Sequence, residues 1–255
     1  MKKVFVPITL LVLLAIPFAN AQSTKLKAVT FSLRHGENPA GKKFDIEGIG
    51  SFLYGMQADF IALQDIDSVV ARSGNLNQPQ ILEQVTGMNI VYVPLKKVDN
   101  GTNGIALLSK WTITSTQKIE LSAGKKAAPQ AAILVNVLDA NKKHLTFICA
   151  FLNEESSLVR KDQLNTIYRA VADIENPVIL AGNLNIAPED LEFDQIQKKW
   201  QDSGGSAFTY ETNGVQKRID YILLSKKNTW SVLQYKIYTN EYSDHYPVEA
   251  KLEVF

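Results

Sequence analysis

The octapeptide Val178-Ile179-Leu180-Ala181-Gly182-Asn183-Leu184-Asn185 decides how the rest of the chain is read. Four apolar residues run into Gly-Asn, the pattern of a short buried strand that stops in a turn. Comparable runs recur at Leu26 to Leu33, Phe60 to Leu63, Ile90 to Val93, Gly104 to Leu108, Ala131 to Leu138, Leu145 to Leu152, Ile219 to Leu224 and Val248 to Val254, and each is a strand candidate. Helical spacing separates them at Phe44 to Met56, Pro79 to Val85 and Leu158 to Ile174. Ala131 to Leu138 and Leu145 to Leu152, joined by Asp139-Ala140-Asn141-Lys142-Lys143, read as a long hairpin. Hairpins interleaved with helices predict an α/β domain of two stacked sheets flanked by helices.

The N-terminus belongs to another purpose. Lys2 and Lys3 precede an apolar run from Val4 to Phe18 that closes with Ala19-Asn20-Ala21. This is the pattern of a secretory signal peptide over residues 1–21, with the mature chain starting near Gln22 or Ser23. A membrane span wants about 20 apolar residues, and this run is shorter and broken by Pro7 and Pro17. The expected location is therefore secreted or periplasmic, with no stable span after cleavage. Residues 22–255 are expected to form one domain, since one core can grow to about 250 to 300 residues and no repeat or Gly, Ser or Pro-rich linker divides them. Lys plus Arg number 27 against 26 Asp plus Glu, so no basic field supports a nucleic-acid partner. The single cysteine, Cys149, sits in an apolar run and reads as a buried small hydrophobe.

Four segments, in order, resemble the endonuclease/exonuclease/phosphatase (DNase I-like) superfamily. Thr30-Phe31-Ser32-Leu33-Arg34-His35-Gly36 is similar to its opening Thr-Tyr-Asn-Ile-Arg-His-Gly strand. Ala58-Asp59-Phe60-Ile61-Ala62-Leu63-Gln64-Asp65 is similar to Pro-Asp-Ile-Val-Ala-Leu-Gln-Glu. The octapeptide at 178–185 resembles the strand ending in Gly-Asp-Phe-Asn. Arg218-Ile219-Asp220-Tyr221-Ile222 and Ser243-Asp244-His245-Tyr246-Pro247-Val248 match the C-terminal motifs without change. The resemblance implies a four-layer α/β sandwich whose loops converge on a Mg²⁺-assisted phosphoester hydrolysis site.

It also implies roles. His245 would face the scissile phosphate, and Asp220 would orient it. Asn185 would position nucleophile and phosphate, although an Asn there is equally simple turn chemistry. Asp65 and Asp244 would hold the metal, Asp244 alternatively fixing its loop. Ser32 stands where the family has an Asn against the substrate. Arg218 lies two residues from Asp220, so on a strand both would project to one face, which makes Arg218 a substrate-binding candidate or half of a solvated ion pair. Asp65, Asn183, Asn185, Asp220, Asp244 and His245 are expected to converge on one pocket. His35 is expected to brace the first loop, and His144 to be exposed.

The departures carry as much information as the matches. Asp65 is one methylene shorter than the family's Glu. Asn183 replaces the Asp of Gly-Asp-Phe-Asn with an amide that cannot become a base. Ala150-Phe151-Leu152-Asn153 stands where the family has Thr-His-Leu-Asp, and Phe151 cannot donate a hydrogen bond. Losing a general base costs about 10² to 10⁴-fold, and losing one donor to developing charge costs about 2.7 to 4 kcal/mol. The chain therefore reads as a family member with weak or absent hydrolase activity, binding Mg²⁺ weakly or not at all and holding a small phosphorylated ligand. Two alternatives stand beside it: an active Mg²⁺-dependent phosphoesterase with a rearranged site, and an exported ligand- or partner-binding module.

Overall fold

A computed structural model describes residues 23–38, 44–123 and 130–255. The signal peptide expected over residues 1–21 lies outside the described residues, and no described helix is long and apolar enough to cross a membrane. In chain order the first half runs β1 (Thr24–Ser32), α1 (Ile46–Met56), β2 (Phe60–Ser68), α2 (Gln78–Thr86), β3 (Asn89–Val98), β4 (Gly101–Ser109), β5 (Thr112–Leu121), β6 (Gln130–Leu138) and β7 (His144–Phe151). The second half runs α3 (Ser157–Ala170), β8 (Val178–Asn183), α4 (Leu191–Lys199), β9 (Trp200–Asp202), β10 (Tyr210–Thr212), β11 (Val215–Lys217), β12 (Asp220–Ser225), β13 (Trp230–Ile237) and β14 (Val248–Val254).

Two six-stranded sheets, ordered β13-β14-β1-β2-β4-β3 and β5-β6-β7-β8-β12-β9, form the frame. Both are mixed: β1 runs parallel to β2 and β7 parallel to β8, while the other ladders are antiparallel. Apolar side chains from the facing sheets interdigitate between them, with the Phe60 and Phe147 rings stacked across the gap. Ile49 and Leu53 of α1 and Leu82 of α2 cover the outer face of the first sheet. Leu164 and Ile167 of α3 and Phe193 and Ile196 of α4 cover that of the second. The four expected layers are thus present, and burying each sheet on both sides explains the continuous apolar runs.

Helices α1, α2 and α3 each begin where a side chain accepts from an otherwise unpaired backbone amide. Asp45 accepts from Gly48 N at 2.9 Å, Asn77 from Gln80 N at 3.4 Å and Ser156 from Val159 N at 3.4 Å. The expected hairpin forms with Leu138 opposite His144, and Asp139 Oδ1 accepts from Asn141 N and Lys143 N to close its turn. His144 is exposed as expected.

The topology fixes where function can sit. Parallel pairing places the C-terminal ends of β1 and β2 side by side, and likewise those of β7 and β8. Antiparallel pairing brings the starts of β12 and β14 to the same rim. All the motif segments therefore end at one edge of the sandwich.

Cys149 is fully buried, and burial pushes its thiol up to about 12 against weak hydrogen bonds from Gln64 and to Leu63 O. Only thiolate is a good nucleophile. The folded protein is therefore expected not to react with a thiol-titrating disulfide reagent at neutral pH, and to release one equivalent in denaturant. One equivalent released without denaturant would contradict this burial.

Candidate active site at the sheet rim

A cavity of about 550 Å³ opens at this rim. Its floor is built from the strand ends: Ser32, Asp65, Phe151, Asn183, Asn185, Asp244 and His245 all line it. Asp220 lies directly behind, so the six residues expected to converge do so.

The Ser-Asp-His turn is held in place by its neighbours. Asn240 Oδ1 accepts from Tyr242 N at 2.8 Å and Ser243 N at 2.9 Å, while its Nδ2 donates to His245 O at 2.7 Å. Ser243 Oγ donates to Ser32 O at 2.8 Å and accepts from His245 N at 3.1 Å, which ties the turn to the end of β1.

His245 Nδ1 pairs with Asp220 Oδ2 at 2.9 Å. That same oxygen accepts from Thr209 Oγ1 at 2.7 Å, and Thr209 Oγ1 in turn accepts from the backbone amides of Ile219 and Asp220. Burial disfavours the imidazolium of His245. Attraction and hydrogen bonding from Asp220, with Asp244 and Asp65 adding charge, outweigh it and raise the pKa above the usual histidine value. This relay fixes the ring and leaves Nε2 as its remaining nitrogen, the arrangement a proton-transferring or phosphate-contacting imidazole needs. Tyr210 packs against it with ring centroids 4.8 Å apart.

Asn183 and Asn185 form a turn after β8. Asn183 Oδ1 accepts from Asn185 N at 3.0 Å, and Asn185 Nδ2 donates to Leu152 O at 2.9 Å. Gly182, at φ 154°, permits this turn, because a Cβ there would overlap the Ala150 carbonyl of the adjacent strand.

Asp65 sits at a bulge of β2 between Gln64 and Ile66, with φ 57°. Its Oδ1 pairs with His35 Nδ1 at 3.1 Å and accepts from Asn103 Nδ2 at 2.8 Å. Burial would raise its pKa, but these hydrogen bonds, His35 and the charge of Lys96 hold it below the usual carboxylate value. Asp244 Oδ2 accepts from Arg34 at 2.8 Å.

Two expectations need correction. Arg218 is buried away from the cavity, its guanidinium bound to Asp202 at 2.7 Å and lying 4.4 Å from the Tyr221 ring centroid. β12 starts only at Asp220, so strand alternation does not extend back to residue 218. His35 does more than brace a loop, since it lines the cavity and holds Asp65. Arg34, Glu154, Tyr210 and Lys217 also line the cavity. The Arg-His-Gly run after β1 was the one signal that pointed to Arg34 and His35.

Mg²⁺ demands near-octahedral oxygen coordination and, beside its retained waters, takes one or two carboxylates with oxygens free to ligate. Here the Oδ1 of Asp65 already serves two donors, Asp244 serves a guanidinium, and Ser32 is neutral. No group of three His, Cys, Asp or Glu among the described residues could hold a metal ion. The residues as arranged do not fit a divalent cation.

The sequence matches the model of the Endonuclease/Exonuclease/phosphatase family over residues 20–245. No curated protein matches it. Among solved structures, an endonuclease/exonuclease/phosphatase from Bacteroides vulgatus superposes with a TM-score of 0.77 at 17% identity, covering 91% of this chain and 100% of that one. ANGEL2, a 2',3'-cyclic phosphatase, gives 0.74 at 12% identity over 91% of this chain and 95% of its own. The human Nocturnin catalytic domain with bound sulfate gives 0.71 at 16% identity, over 92% and 97%.

Proposed function

We propose, from the premise that this chain belongs to the endonuclease/exonuclease/phosphatase family, that it is an exported member that binds a small phosphoester and hydrolyses it weakly or not at all. The scaffold is that of a phosphoesterase, and metal dependence is general in the family. One observation carries the reading: the recognition half of the site is complete while the activating half is not. The Thr209–Asp220–His245 relay stands at the cavity. On the strand ends beside it, Asn183 offers an amide and Phe151 a hydrocarbon ring, and the two carboxylates of the expected metal site are bound to protein donors. The bound sulfate of Nocturnin and the cyclic phosphate substrate of ANGEL2 support an oxyanion as the ligand.

His245 would donate from Nε2 to a phosphoryl oxygen, with Asp220 stabilising the charge. A water beside Asn183 would be oriented but not deprotonated, because an amide is not a base. The purified protein with bis-p-nitrophenyl phosphate and Mg²⁺ is expected to show ligand binding by calorimetry that His245→Ala weakens. Turnover should be indistinguishable from that of His245→Ala. The intact relay favours one second reading, an active enzyme with a rearranged site, and robust turnover abolished by His245→Ala would establish it instead.

A further inference from the structure

We propose that Arg34, with His35 and Asn103, takes the place of a divalent cation at this site, so that the cavity accepts a monoanionic phosphodiester without metal. The inference rests on the phosphoester reading above.

Its foundation is how the two cavity carboxylates are satisfied. Arg34 bonds Asp244 Oδ2 at 2.8 Å, while His35 at 3.1 Å and Asn103 at 2.8 Å share Asp65 Oδ1. Asn103 is buried and also bonds Asp67 Oδ1 at 2.8 Å, so it is committed to this cluster. Consecutive side chains seldom point at carboxylates from two different segments. Arg34 and His35 do so because both adopt left-handed backbone, φ 47° and 58°, ahead of Gly36 at 80°. Such conformations are strained for non-glycine residues unless the surroundings impose them. Gln78 Nε2 donates to His35 O, Gly36 N to Leu33 O at 2.9 Å and Asp45 N to Gly36 O at 3.4 Å, which pin the bend. The loop is built to deliver these two side chains.

Charge selects the ligand. Arg34 and Lys217 balance Asp65 and Asp244 among the lining residues, while Glu154 and Glu189 stand exposed at the lip and Asp190 beside them. The remaining carboxylates leave the lining net negative, so a dianionic monoester would meet stronger repulsion than a singly charged diester. His245 Nε2, the amide of Asn183 and the Ser32 hydroxyl remain to donate to its two non-bridging oxygens.

The test uses Mg²⁺ alone, then bis-p-nitrophenyl phosphate and p-nitrophenyl phosphate, each followed by titration calorimetry. Wild type should bind the diester equally in EDTA and in Mg²⁺, bind the monoester less tightly, and give no saturable Mg²⁺ heat. Arg34→Gln with His35→Gln should free Asp244 and leave Asp65 with Asn103 alone, tightening Mg²⁺ binding by roughly 10- to 100-fold, the range over which ligand partners alter metal affinity. Arg34→Lys keeps the charge and should remain insensitive to Mg²⁺, which decides the matter even if the double variant unfolds. Mg²⁺ binding by wild type as tight as by the double variant, or loss of diester binding in EDTA, would overturn the inference alone. Failure of wild type to bind the diester in either condition would overturn the phosphoester reading and the inference with it.

Discussion

Asn183→Asp combined with Phe151→His is expected to raise bis-p-nitrophenyl phosphate turnover in Mg²⁺ by about 10² to 10⁴-fold, the contribution of a positioned general base. An aspartate at 183 can keep the bond to Asn185 N through one oxygen and present the other where the amide nitrogen now stands. Asn183 is also the cross-strand partner of Asp220, and such pairs hold their Cβ atoms about 4.5 to 5.5 Å apart. Asp220 Oδ1 is buried without a hydrogen-bond partner, so the new carboxyl would sit beside a second carboxylate and its pKa would rise toward the range useful for a base. The imidazole at 151 restores a donor at the cavity floor. Ser32→Asn and Asp65→Glu, added next, should raise the rate further by extending oxygen ligands into the cavity. A His245→Ala version of each protein sets the background. Turnover of the double variant no higher than wild type would mean that these two positions do not limit the chemistry.

The largest stability effect is expected from Gly182→Ala. A single methyl group is added, yet the atom it meets is the backbone carbonyl oxygen of Ala150, which no rotamer change can move. Relief requires opening the parallel ladder where Ala150 pairs with Gly182, in the middle of the second sheet. The backbone at φ 154° is also strained for any residue with a Cβ. A loss of about 4 kcal/mol places the change among the rare severe substitutions. At about 2 to 4 °C per kcal/mol for a domain of this size, the melting midpoint should fall by roughly 8 to 16 °C in differential scanning calorimetry. A midpoint within about 2 °C of wild type would show that the two strands are not held this closely.

The central strands were legible because they are buried on both faces and read as unbroken apolar runs. Val248–Val254 was read to the residue. Of the edge strands only β3 was legible, in part, at Ile90 to Val93. β5 reads Thr-Ile-Thr-Ser-Thr-Gln-Lys-Ile-Glu-Leu, mostly exposed, and β13 ends the other sheet half-covered; polar edges protect a sheet from pairing with strangers, at the cost of any apolar signal. α4 was missed because only Glu192, Phe193 and Ile196 are buried on it. At the site, motif residues carried by strand ends were legible. Tyr210 and Lys217 were not, since they arrive on a two-stranded hairpin of three residues a side whose sequence has no periodicity to read.

The position of β1 has a consequence for how the molecule comes into being. The first strand lies between β14 and β2, with Thr24 opposite Val254. One flank of β1 therefore stays unpaired until β14 is made, and β13, its sheet's outermost member on that side, attaches only through β14. Loop-closure entropy for so distant a pairing must be met before the contact can reward it. The first sheet thus has no complete form until β14 is made, whereas every strand of the second precedes β13, and loss of β14 would leave an open central edge prone to association with other chains.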